Sequence, residues 1–445
     1  MRPATEDTED HALRITLTSI GCKLNAYETE ALAWTLQQQG HRLVEPHAEA
    51  DVCVVNTCTV TSAGDADSRK AIRRARRRNP GATVVVTGCY AQHDAAAVTA
   101  AGADLVVGNA DKARLPEILQ AYRAGRLGPP PPTLPPPRTS RFLELSGALI
   151  GGRTRGSLQI QDGCDARCTY CAVPAVRGPG VSRNAAEIVD QARRMVDAGY
   201  HELALTGVNI GSYGHDRQQP QALIELLCRL ETIEGLERIR LSSLEPAFLS
   251  DLLIDYAARS SRLCRHFHVP LQSGDEMILK RMGRHYTRTF YAERIQQLAA
   301  AVPDCAIGAD VMVGFPGETE ARFQRTFDLL AELPLTYLHV FAYSRRPGTP
   351  AARMPDHPSQ AAKKARSRAL IEWGQARRHA FHQHHLGATL DVLLEDRADA
   401  GTGLQTGLSD NYIKVLVSAP GIANRIVPVR ITAANGASTR GILVE

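Results

Sequence analysis

The sequence predicts an α/β protein with an N-terminal doubly wound parallel sheet, a central partial (β/α)6 barrel and a C-terminal small β-barrel. Two long stretches alternate short apolar strands with helical segments, which is the order that builds parallel sheets. A proline-rich segment separates them. A last stretch has β-type runs between Gly and Asp turns, without helical periodicity, and this predicts the small barrel.

The first domain is predicted over residues 11–127, where apolar and helical segments follow the βαβ order. The predicted strands are 13–19, 51–55, 83–87 and 104–107, and the predicted helices are 27–39, 65–78 and 111–123. Residues 128–150 are predicted to be a linker. Seven of the nine residues from Pro129 to Pro137 are proline, which can neither continue a helix nor join a sheet.

The second domain is predicted over residues 151–384 as strand and helix pairs of an open barrel, whose reactive loops follow the C-terminal ends of the strands. The predicted strands are 158–161, 202–206, 238–241, 266–269, 307–313 and 337–341, followed by a long helix around 360–385. The third domain, 385–445, has predicted strands at 390–394, 412–417 and 425–431. Residues Gly401 to Gly407 lack a following helix and are predicted to form a turn.

The composition is that of a globular and mildly basic chain. It has 445 residues, 44% of them hydrophobic, and a net charge of +5, so it can bury a substantial core. Ten cysteines in a chain of this length favour an intracellular metal protein over a secreted disulfide scaffold. No apolar run reaches the roughly 18 residues that a bilayer span needs. We therefore expect a cytoplasmic monomer that does not bind membranes.

Cys164, Cys168 and Cys171 form the most informative pattern in the chain. Three thiolates at this spacing can hold three corners of a four-iron four-sulfur cluster and leave the fourth iron open to a small molecule. A structural zinc site would need a fourth Cys or His in a second knuckle, and the sequence has no second Cys-x-x-Cys pair. The remaining alternative is a group of cysteines that only packs.

Cys22, Cys58 and Cys89 form a second candidate trio although they lie far apart in the chain. Each follows a predicted parallel strand, and the loops at the C-terminal edge of such a sheet converge. They could ligate a second cluster with an open iron, with three independent buried cysteines as the alternative. Gly21 and Gly88 allow tight turns before two of them. The cysteines predicted to fill the core are Cys53, Cys228, Cys264 and Cys305.

A run of basic residues marks the second predicted helix. Residues 69–78 contain seven basic side chains and no acid, and on a helix they form a broad positive face suited to phosphates. A solvated face without a partner is the alternative. The candidates for RNA contact here are Arg73, Arg76 and Arg77. A helix surface, rather than a metal site, is predicted for His379, His382, His384 and His385.

Taken together, these motifs resemble the methylthiotransferases of the radical S-adenosylmethionine superfamily. The resemblance extends over essentially the whole chain and is specific. It rests on the Cys164 trio and on Gly21–Asn25, Asn56–Val60, Gly88–Gln92, His268–Gly274, Gly314–Thr319 and Tyr343–Pro350. It implies that the C-terminal barrel is a TRAM domain that holds RNA.

Within that family, the chain resembles the branch that modifies N6-threonylcarbamoyladenosine beside the tRNA anticodon. Gly-Cys-Lys-x-Asn at Cys22, Thr-Cys-Thr-Val-Thr at Cys58 and the stretch Gly407–Tyr412 carry this resemblance. The isopentenyladenosine branch usually has Gln-Met after its first cysteine, and the branch acting on a ribosomal protein aspartate differs after its second. One departure from the superfamily is Thr206–Asn209, which stands where many members have Gly-Gly-Glu. A backbone carbonyl could accept the cofactor's amino group instead.

The resemblance implies two 4Fe-4S clusters, one on each trio, and S-adenosyl-L-methionine on the open iron of the Cys164 trio. A reducing electron donor such as flavodoxin or ferredoxin then supports cleavage of S-adenosylmethionine to a radical. The radical removes the hydrogen on carbon 2 of an adenine in a tRNA anticodon loop. The second cluster presents a methylated sulfur. The alternatives are the same chemistry on isopentenyladenosine or a ribosomal protein aspartate, and a non-catalytic iron-sulfur protein that binds RNA.

Further side chains are candidates within this mechanism. The candidates for the S-adenosylmethionine pocket are Tyr170, Gly207, Asn209, Ser243, Glu245 and the strand from Asp310 to Gly314. Gln272 and His268, at a strand end, suit hydrogen bonding near the reacting centre. Arg345 and Arg346, with Gln272, are candidates for the threonylcarbamoyl group. The alternatives are that Tyr170 only covers the cluster, Glu245 caps a helix, His268 lies satisfied in the core, and both arginines are surface charges.

Overall fold

This computed structural model describes residues 12–135, 137, 142–144, 154–436 and 438–444. The described residues form two compact units, one within 1–146 together with Ala175–Gly178, and one within 147–174 and 179–445. The predicted linker, 128–150, lies partly outside the described residues. Residue 11 of the predicted first domain, residues 151–153 of the second and residue 445 of the third also lie outside them.

The first unit is built on a parallel sheet in the order β2-β1-β3-β4-β5. Its elements are β1 (Arg14–Ser19), α1 (Lys23–Gln38), β2 (Arg42–Leu43), β3 (Val52–Thr57), α2 (Ser62–Arg78), β4 (Thr83–Gly88), α3 (Cys89–His93), α4 (Ala95–Ala100), β5 (Leu105–Val106), a 3-10 turn (Asn109–Arg114) and α5 (Leu115–Arg123). Because β1 lies inside the sheet, the chain winds outward in both directions, which confirms the predicted doubly wound sheet.

Local sequence explains these elements. β3 is buried along its whole length, as expected for a central parallel strand made mainly of Val. The Thr61 side chain accepts a hydrogen bond from the Gly64 N–H and so begins α2. On that helix Ser68 and Ile72 are the buried residues, so the apolar contact is narrow and most of the arginines lie on its other faces.

The second unit begins with parallel strands that alternate with helices. The elements are β6 (Arg155–Gln159), β7 (Gln161–Asp162), α6 (Val173–Arg177, which crosses into the first unit), β8 (Val181–Ser182), α7 (Ala185–Asp197), β9 (Glu202–Thr206), α8 (Ala222–Glu231), β10 (Arg238–Leu241), α9 (Asp251–Arg259), β11 (His266–His268), α10 (Glu276–Met282), α11 (Arg288–Ala301), β12 (Ala306–Val313), α12 (Glu320–Glu332), β13 (Tyr337–Ala342) and α13 (Gln360–His384). The strands pair in the parallel orders β10-β9-β6 and β11-β12-β13, which confirms the predicted partial (β/α)6 barrel.

A closed β-barrel ends the chain, as predicted. Its strands, in the order β14-β15-β16-β18-β17, are β14 (Thr389–Ala398), β15 (Gln405–Ser409), β16 (Lys414–Val417), β17 (Ile426–Asn435) and β18 (Ser438–Leu443). The turn predicted from Gly401 to Gly407 is wrong from Gln405 onward, because these residues pair with β14 and β16. A Cβ on Gly407 would lie 2.5 Å from Val392 Cγ1, so this glycine permits close strand packing.

The small barrel docks through its β15–β16 turn onto the ends of the larger barrel's strands where those strands begin. Arg240 pairs with Glu202 at 2.7 Å and donates to the carbonyl oxygens of Ser409 at 3.1 Å and Asp410 at 2.9 Å. The Tyr412 ring stacks on His266, with ring centroids 4.0 Å apart. These contacts explain why both barrels form one compact unit.

Two expectations about single residues are wrong. Cys228 is exposed, because it lies on the outer face of α8, whereas Cys53, Cys264 and Cys305 are buried as predicted. His382 and His385 are buried instead of lying on a helix surface. His385 Nε2 accepts a hydrogen bond from the Asn411 side-chain amide at 3.0 Å, because the end of α13 packs against the small barrel.

None of the described helices combines the length and the apolar character needed to cross a membrane.

Replacing Arg240 by Met should destabilise the second unit, because Glu202 would remain buried without its main partner. Removing one member of a buried ion pair costs about 3–5 kcal/mol. This corresponds to a fall in Tm on the order of 10 °C, at about 2–4 °C per kcal/mol. Thermal unfolding followed by circular dichroism measures the change. The exposed Arg259→Met on α9 is the control, and equal Tm values for the two variants would contradict the docking role.

Candidate active site

The Cys164–Cys171 loop follows β7, and Gly163 turns the chain there with a φ of +69°. Backbone N–H groups donate to two of the sulfurs: Ala166 N lies 3.4 Å from Cys164 Sγ, and Val173 N lies 3.4 Å from Cys171 Sγ. Hydrogen bonds of this kind tune clusters that are held by thiolates. The donor set and the N–H groups therefore fit a 4Fe-4S cluster.

Burial controls the protonation of these thiols. It raises the pKa of Cys171 to about 12 and also raises the pKa of Cys164. Because cysteine ligates metal as the thiolate, cluster assembly in this loop must displace thiol protons.

Arg284 lies against the sulfur of Cys168, the remaining cysteine of the loop. Its Nη1 is 3.4 Å from Cys168 Sγ and 3.1 Å from Glu245 Oε1, its Nη2 bonds Glu245 Oε2, and its Nε lies 3.1 Å from the Tyr286 hydroxyl. Glu245 therefore pairs with the arginine, and its side chain does not cap the 3-10 turn that follows. Sequence reasoning missed Arg284, since a single arginine after a helix carries no motif.

Gln161 joins the cysteine loop to the loop after β9. Its Oε1 accepts the N–H groups of Val208 at 3.0 Å and Asn209 at 2.9 Å, and its Nε2 donates to the Gly163 carbonyl at 2.7 Å. A Cβ on Gly207 would lie 2.8 Å from the Gln161 carbonyl oxygen, so a glycine is required there. Sequence reasoning missed Gln161 because a buried glutamine after a strand has no sequence signature.

Asn209 presents an unused acceptor beside this loop. Only 9% of the residue is exposed, and its Oδ1 is buried without a hydrogen-bond partner among the described residues. Leaving such an atom unpaired costs about 1–3 kcal/mol. The amino and hydroxyl groups of S-adenosylmethionine are donors, so this orphaned oxygen fits the predicted cofactor pocket.

The other predicted pocket residues have different surroundings. Tyr170 is half-buried and meets Phe315 edge-on, with centroids 6.3 Å apart. Ser243 is exposed. Gly314 has a φ of +72°, and a Cβ there would lie 2.3 Å from Lys363 Cγ, so close packing against α13 explains this glycine.

His268 belongs to a buried polar network on β11, β12 and β13. Its Nε2 lies 2.8 Å from Asp310 Oδ1, and its Nδ1 lies 3.1 Å from the Tyr337 hydroxyl, which is 2.8 Å from His266 Nε2. His339 Nδ1 lies 3.4 Å from the same Asp310 oxygen. Burial opposes ionisation of Asp310, but hydrogen bonds from both histidines outweigh it and hold its pKa at about 2.

This arrangement bears on the two roles predicted for His268. Both ring nitrogens have protein partners, so the ring is oriented as in a satisfied core histidine. The 2.8 Å separation from Asp310 is a hydrogen-bond length, so His268, Asp310 and His339 form a hydrogen-bonded group. The half-exposed His339 brings this group to the surface of the sheet.

Gln272 lies four residues beyond β11 in a strained conformation. Its φ is +64°, a region that non-glycine residues seldom adopt and that costs about 1–3 kcal/mol. Its N–H donates to the Asp310 carbonyl at 2.8 Å, and its carbonyl accepts the Met312 N–H at 2.9 Å. The strand β12 thus fixes the Gln272 backbone, as expected for a side chain that must be aimed.

In the first unit, the second trio follows β1, β3 and β4. Gly21 has a φ of +104°, and a Cβ there would lie 2.5 Å from Cys58 Cβ and 2.6 Å from Cys58 Sγ. Cys22 is exposed, whereas Cys58 and Cys89 are buried. Burial, with a smaller contribution from the charges of Cys89 and Cys22, raises the pKa of Cys58 to about 11. Gly21 approaches Cys58, and a Cβ on Gly88 would lie 2.4 Å from the Thr57 carbonyl oxygen, so the three cysteines follow strand ends that lie side by side. This donor set fits a cluster.

The structure keeps two of the three arginines predicted for the basic face of α2 exposed to solvent. Arg76 bonds Asp104 and donates to the carbonyls of Ala82 at 3.0 Å and Gly102 at 3.1 Å, so it ties α2 to the sheet instead of facing solvent. Arg73 and Arg77 are exposed. A cavity of about 570 Å³ lies between α2 and the strands β1 and β3, and its basic lining residues are Lys70, Arg74 and Arg78.

The two arginines after β13 differ from each other. Arg345 is bonded to His357 at 3.0 Å in an exposed position. Arg346 is only 2% exposed, so the alternative that it is a surface charge is wrong, and its contact with the threonylcarbamoyl group stays a prediction. The hydroxyl and the backbone N–H of Thr349 both donate to the Arg346 carbonyl, so the chain turns directly after Arg346.

Comparisons with known proteins agree with this fold and site. The sequence matches the Radical SAM superfamily over residues 158–330 and the uncharacterized protein family UPF0004 over residues 14–108. The fold and the three-cysteine loop define a radical enzyme that uses a 4Fe-4S cluster and S-adenosylmethionine. The chain belongs to the methylthiotransferase family of these enzymes, as its relatives establish.

The relatives carry two kinds of name. The threonylcarbamoyladenosine tRNA methylthiotransferase MtaB of Bacillus subtilis is 39% identical, with 96% of this chain and 95% of that protein covered. The protein of the same name from Aquifex aeolicus is 36% identical, with 91% and 96% covered. The tRNA-2-methylthio-N(6)-dimethylallyladenosine synthase of Pelotomaculum thermopropionicum is 33% identical, with 95% and 96% covered.

A solved structure shares the fold. The radical S-adenosylmethionine methyltransferase TsrM from Kitasatospora setae, determined with cobalamin and a [4Fe-4S] cluster bound, superposes with a TM-score of 0.57. The match covers 77% of each chain at 19% sequence identity, so it supports the architecture alone.

If the N-terminal trio holds the predicted second cluster, replacing Gly21 by Ala should remove the iron of that cluster, because the added Cβ would overlap Cys58 and the backbone conformation is unfavourable for Ala. We expect about half of the iron of the anaerobically reconstituted protein to be lost, since each trio supplies thiolates for one cluster. Colorimetric iron analysis per chain measures it. Gly40→Ala is the matched control, with a φ of +84° but open space around the Cβ. Full iron in Gly21→Ala would contradict this geometry.

Proposed function

We propose that this enzyme converts N6-threonylcarbamoyladenosine beside the tRNA anticodon to its 2-methylthio derivative. The observation that carries the proposal is the 39% identity to a threonylcarbamoyladenosine tRNA methylthiotransferase over almost the full length of both chains. The motifs around Cys22 and Cys58 point to the same branch. The dimethylallyladenosine enzymes, also related over almost the whole chain, make isopentenyl-type adenosine the second candidate substrate.

The chemistry requires a cofactor because adenine carbon 2 carries a hydrogen that is neither acidic nor a leaving group. When bound, a cluster on Cys164, Cys168 and Cys171 and S-adenosylmethionine supply one-electron chemistry that can remove such a hydrogen. The protein contributes position. Gln161 fixes the two loops at the site, and Asn209 offers its buried oxygen to a cofactor donor group.

Two further side chains are proposed to act near the reacting base. The backbone of Gln272, fixed against β12, aims its amide from the loop after β11, near the network that orients His268. A base in a single-stranded loop can be unstacked and inserted into a barrel mouth, which a duplex position cannot. Arg345 is proposed to meet the polar threonylcarbamoyl group.

We propose a second 4Fe-4S cluster on Cys22, Cys58 and Cys89 as the source of the inserted sulfur. The required glycines at positions 21 and 88 support it, since a Cβ on either would collide with the neighbouring strand loop. We propose domains at 11–127, 151–384 and 385–445 joined by the 128–150 linker. A cytoplasmic monomer served by a flavodoxin or ferredoxin completes the proposal.

RNA contact is proposed for the basic face of α2 and for the C-terminal barrel. Arg73 and Arg77 are exposed on α2, and the basic cavity beside that helix extends the positive surface. Neutralising phosphates releases counterions, so such contacts are strong at low salt and weaken as salt rises.

The substrate is tested with purified tRNA that carries either threonylcarbamoyl or isopentenyl adenosine. We expect the methylthio product from the threonylcarbamoyl form with at least tenfold preference, equivalent to about 1.4 kcal/mol between the two transition states. Mass spectrometry of digested nucleosides measures it. Preference for the isopentenyl form would overturn the substrate and leave the radical chemistry intact. Release of 5′-deoxyadenosine without any product from either tRNA would point to another substrate.

The RNA surface is tested by changing Arg73 and Arg77 together to Gln. Binding to tRNA should weaken, and the log-log salt dependence should become shallower by about 0.7–0.9 per lost phosphate contact. Filter binding across a salt series measures both. Arg193→Gln with Arg368→Gln removes the same charge from exposed positions on α7 and α13 and serves as the control. An identical salt slope for both double variants would show that the basic face of α2 is solvated and does not contact tRNA.

A further inference from the structure

A buried group of charged side chains lies behind Cys89 in the first unit. Arg177, Lys112 and Glu28 are 4%, 2% and 4% exposed. Arg177 Nη1 lies 2.8 Å from Glu28 Oε1, and Lys112 Nζ lies 2.5 Å from Glu28 Oε2. The Nε of Arg177 lies 3.2 Å from Cys89 Sγ, so the same guanidinium bonds the carboxylate and a ligand sulfur.

This group joins two cations to the carboxylate of Glu28. Burial opposes ionisation of Glu28, but the charges and hydrogen bonds of Arg177 and Lys112 outweigh it and hold its pKa at about 2. Glu28 is therefore a carboxylate, and among the described residues it is the acid that pairs with both cations. Asn25 and Asn56 also bond the group but are neutral. Both buried cations thus contact the same carboxylate.

A buried cation stabilises a negative charge that lies beside it, because the protein interior screens charge weakly. The Nε of Arg177 donates to Cys89 Sγ, so the guanidinium lies directly against this sulfur. Three thiolates on an iron-sulfur core form an anionic group. The contact therefore favours that group, and favours it more strongly when reduction adds a further negative charge.

The position of Arg177 is fixed by the first unit. Its segment, Ala175–Gly178, belongs to this unit although it follows Cys171 by only a few residues in sequence. The Asn109 side chain donates to the Val176 carbonyl at 2.7 Å and holds the segment beside the 3-10 turn that carries Lys112. Arg177 is thus anchored through its backbone and through Glu28.

We propose that Arg177 and Lys112 are positioning residues that raise the reduction potential of the cluster on Cys22, Cys58 and Cys89, and that Glu28 limits this rise. The inference rests on the proposed second cluster. Reduction adds negative charge, which nearby buried cations stabilise, and hydrogen bonds to ligand sulfurs act in the same direction. A purely structural ion network would stabilise the fold without moving the potential.

The test uses the full chain with Cys164, Cys168 and Cys171 changed to Ala, so that one cluster remains. Iron per chain is measured first, and the midpoint potential is then read by electron paramagnetic resonance during an anaerobic redox titration. Arg177→Gln should lower the reduction equilibrium constant at least tenfold, which is about 59 mV for one electron. Glu28→Gln should raise the potential. The opposite signs separate charge tuning from general loosening of the site.

The controls keep every outcome informative. Arg114→Gln lies in the same 3-10 turn as Lys112 but pairs with Asp111 and Glu117 at the surface, so its potential should not move. If Arg177→Gln holds too little iron, Arg177→Lys should restore the iron and Lys112→Gln should show the lowered potential. Unmoved potentials in Lys112→Gln and Glu28→Gln would overturn the inference alone. A parent without iron would overturn the second cluster, and the inference with it.

Discussion

Parallel strands end at one edge of a sheet, and both cysteine sites depend on this constraint. In the first unit each cysteine of the trio is separated from the next by at least one helix and one strand, yet β1, β3 and β4 end side by side. The approach is close enough that Gly21 and Gly88 cannot carry a Cβ. In the second unit the three-cysteine loop follows β6 and β7 by the same rule. The sheet thus does for distant residues what the short spacing does for Cys164, Cys168 and Cys171.

Each trio has an arginine that bonds one of its sulfurs and a glutamate that holds the arginine. Arg177 bonds Cys89 and is held by Glu28, and Arg284 bonds Cys168 and is held by Glu245. The glutamate orients the guanidinium and removes part of its charge, so the pair presents a directed donor of moderate strength. Lys112 distinguishes the first site, because it adds a second buried cation.

The docking of the small barrel is also governed by buried charge. Arg240 is fully buried between Glu202 and the carbonyl oxygens of the β15–β16 turn, so the turn completes the hydrogen bonding that the guanidinium requires. Tyr412 in that turn stacks on His266, which shares the Tyr337 hydroxyl with His268. The domain proposed to hold RNA and the polar network inside the larger barrel therefore form one continuous packed structure.

The sequence by itself determined the order of strands and helices and the position of the cysteines relative to them, because short-range patterns carry this information. Strand and helix order predicted the sheet, the partial barrel and the C-terminal barrel, and cysteine placement after strands predicted which thiols meet. The β15 strand was missed, because Gly407 looks like a turn residue until β14 is packed against it.

Only the tertiary structure decided which charged side chains have partners. Arg76 and Arg346 look like surface charges in the sequence, but one ties α2 to the sheet and the other is buried. Gln161, Arg177 and Arg284 belong to no sequence motif. Each bonds a partner that lies on an element distant in the chain. Periodicity reports which face of an element is apolar. Which charge meets which sulfur is set by how separate elements pack, and local sequence does not encode that.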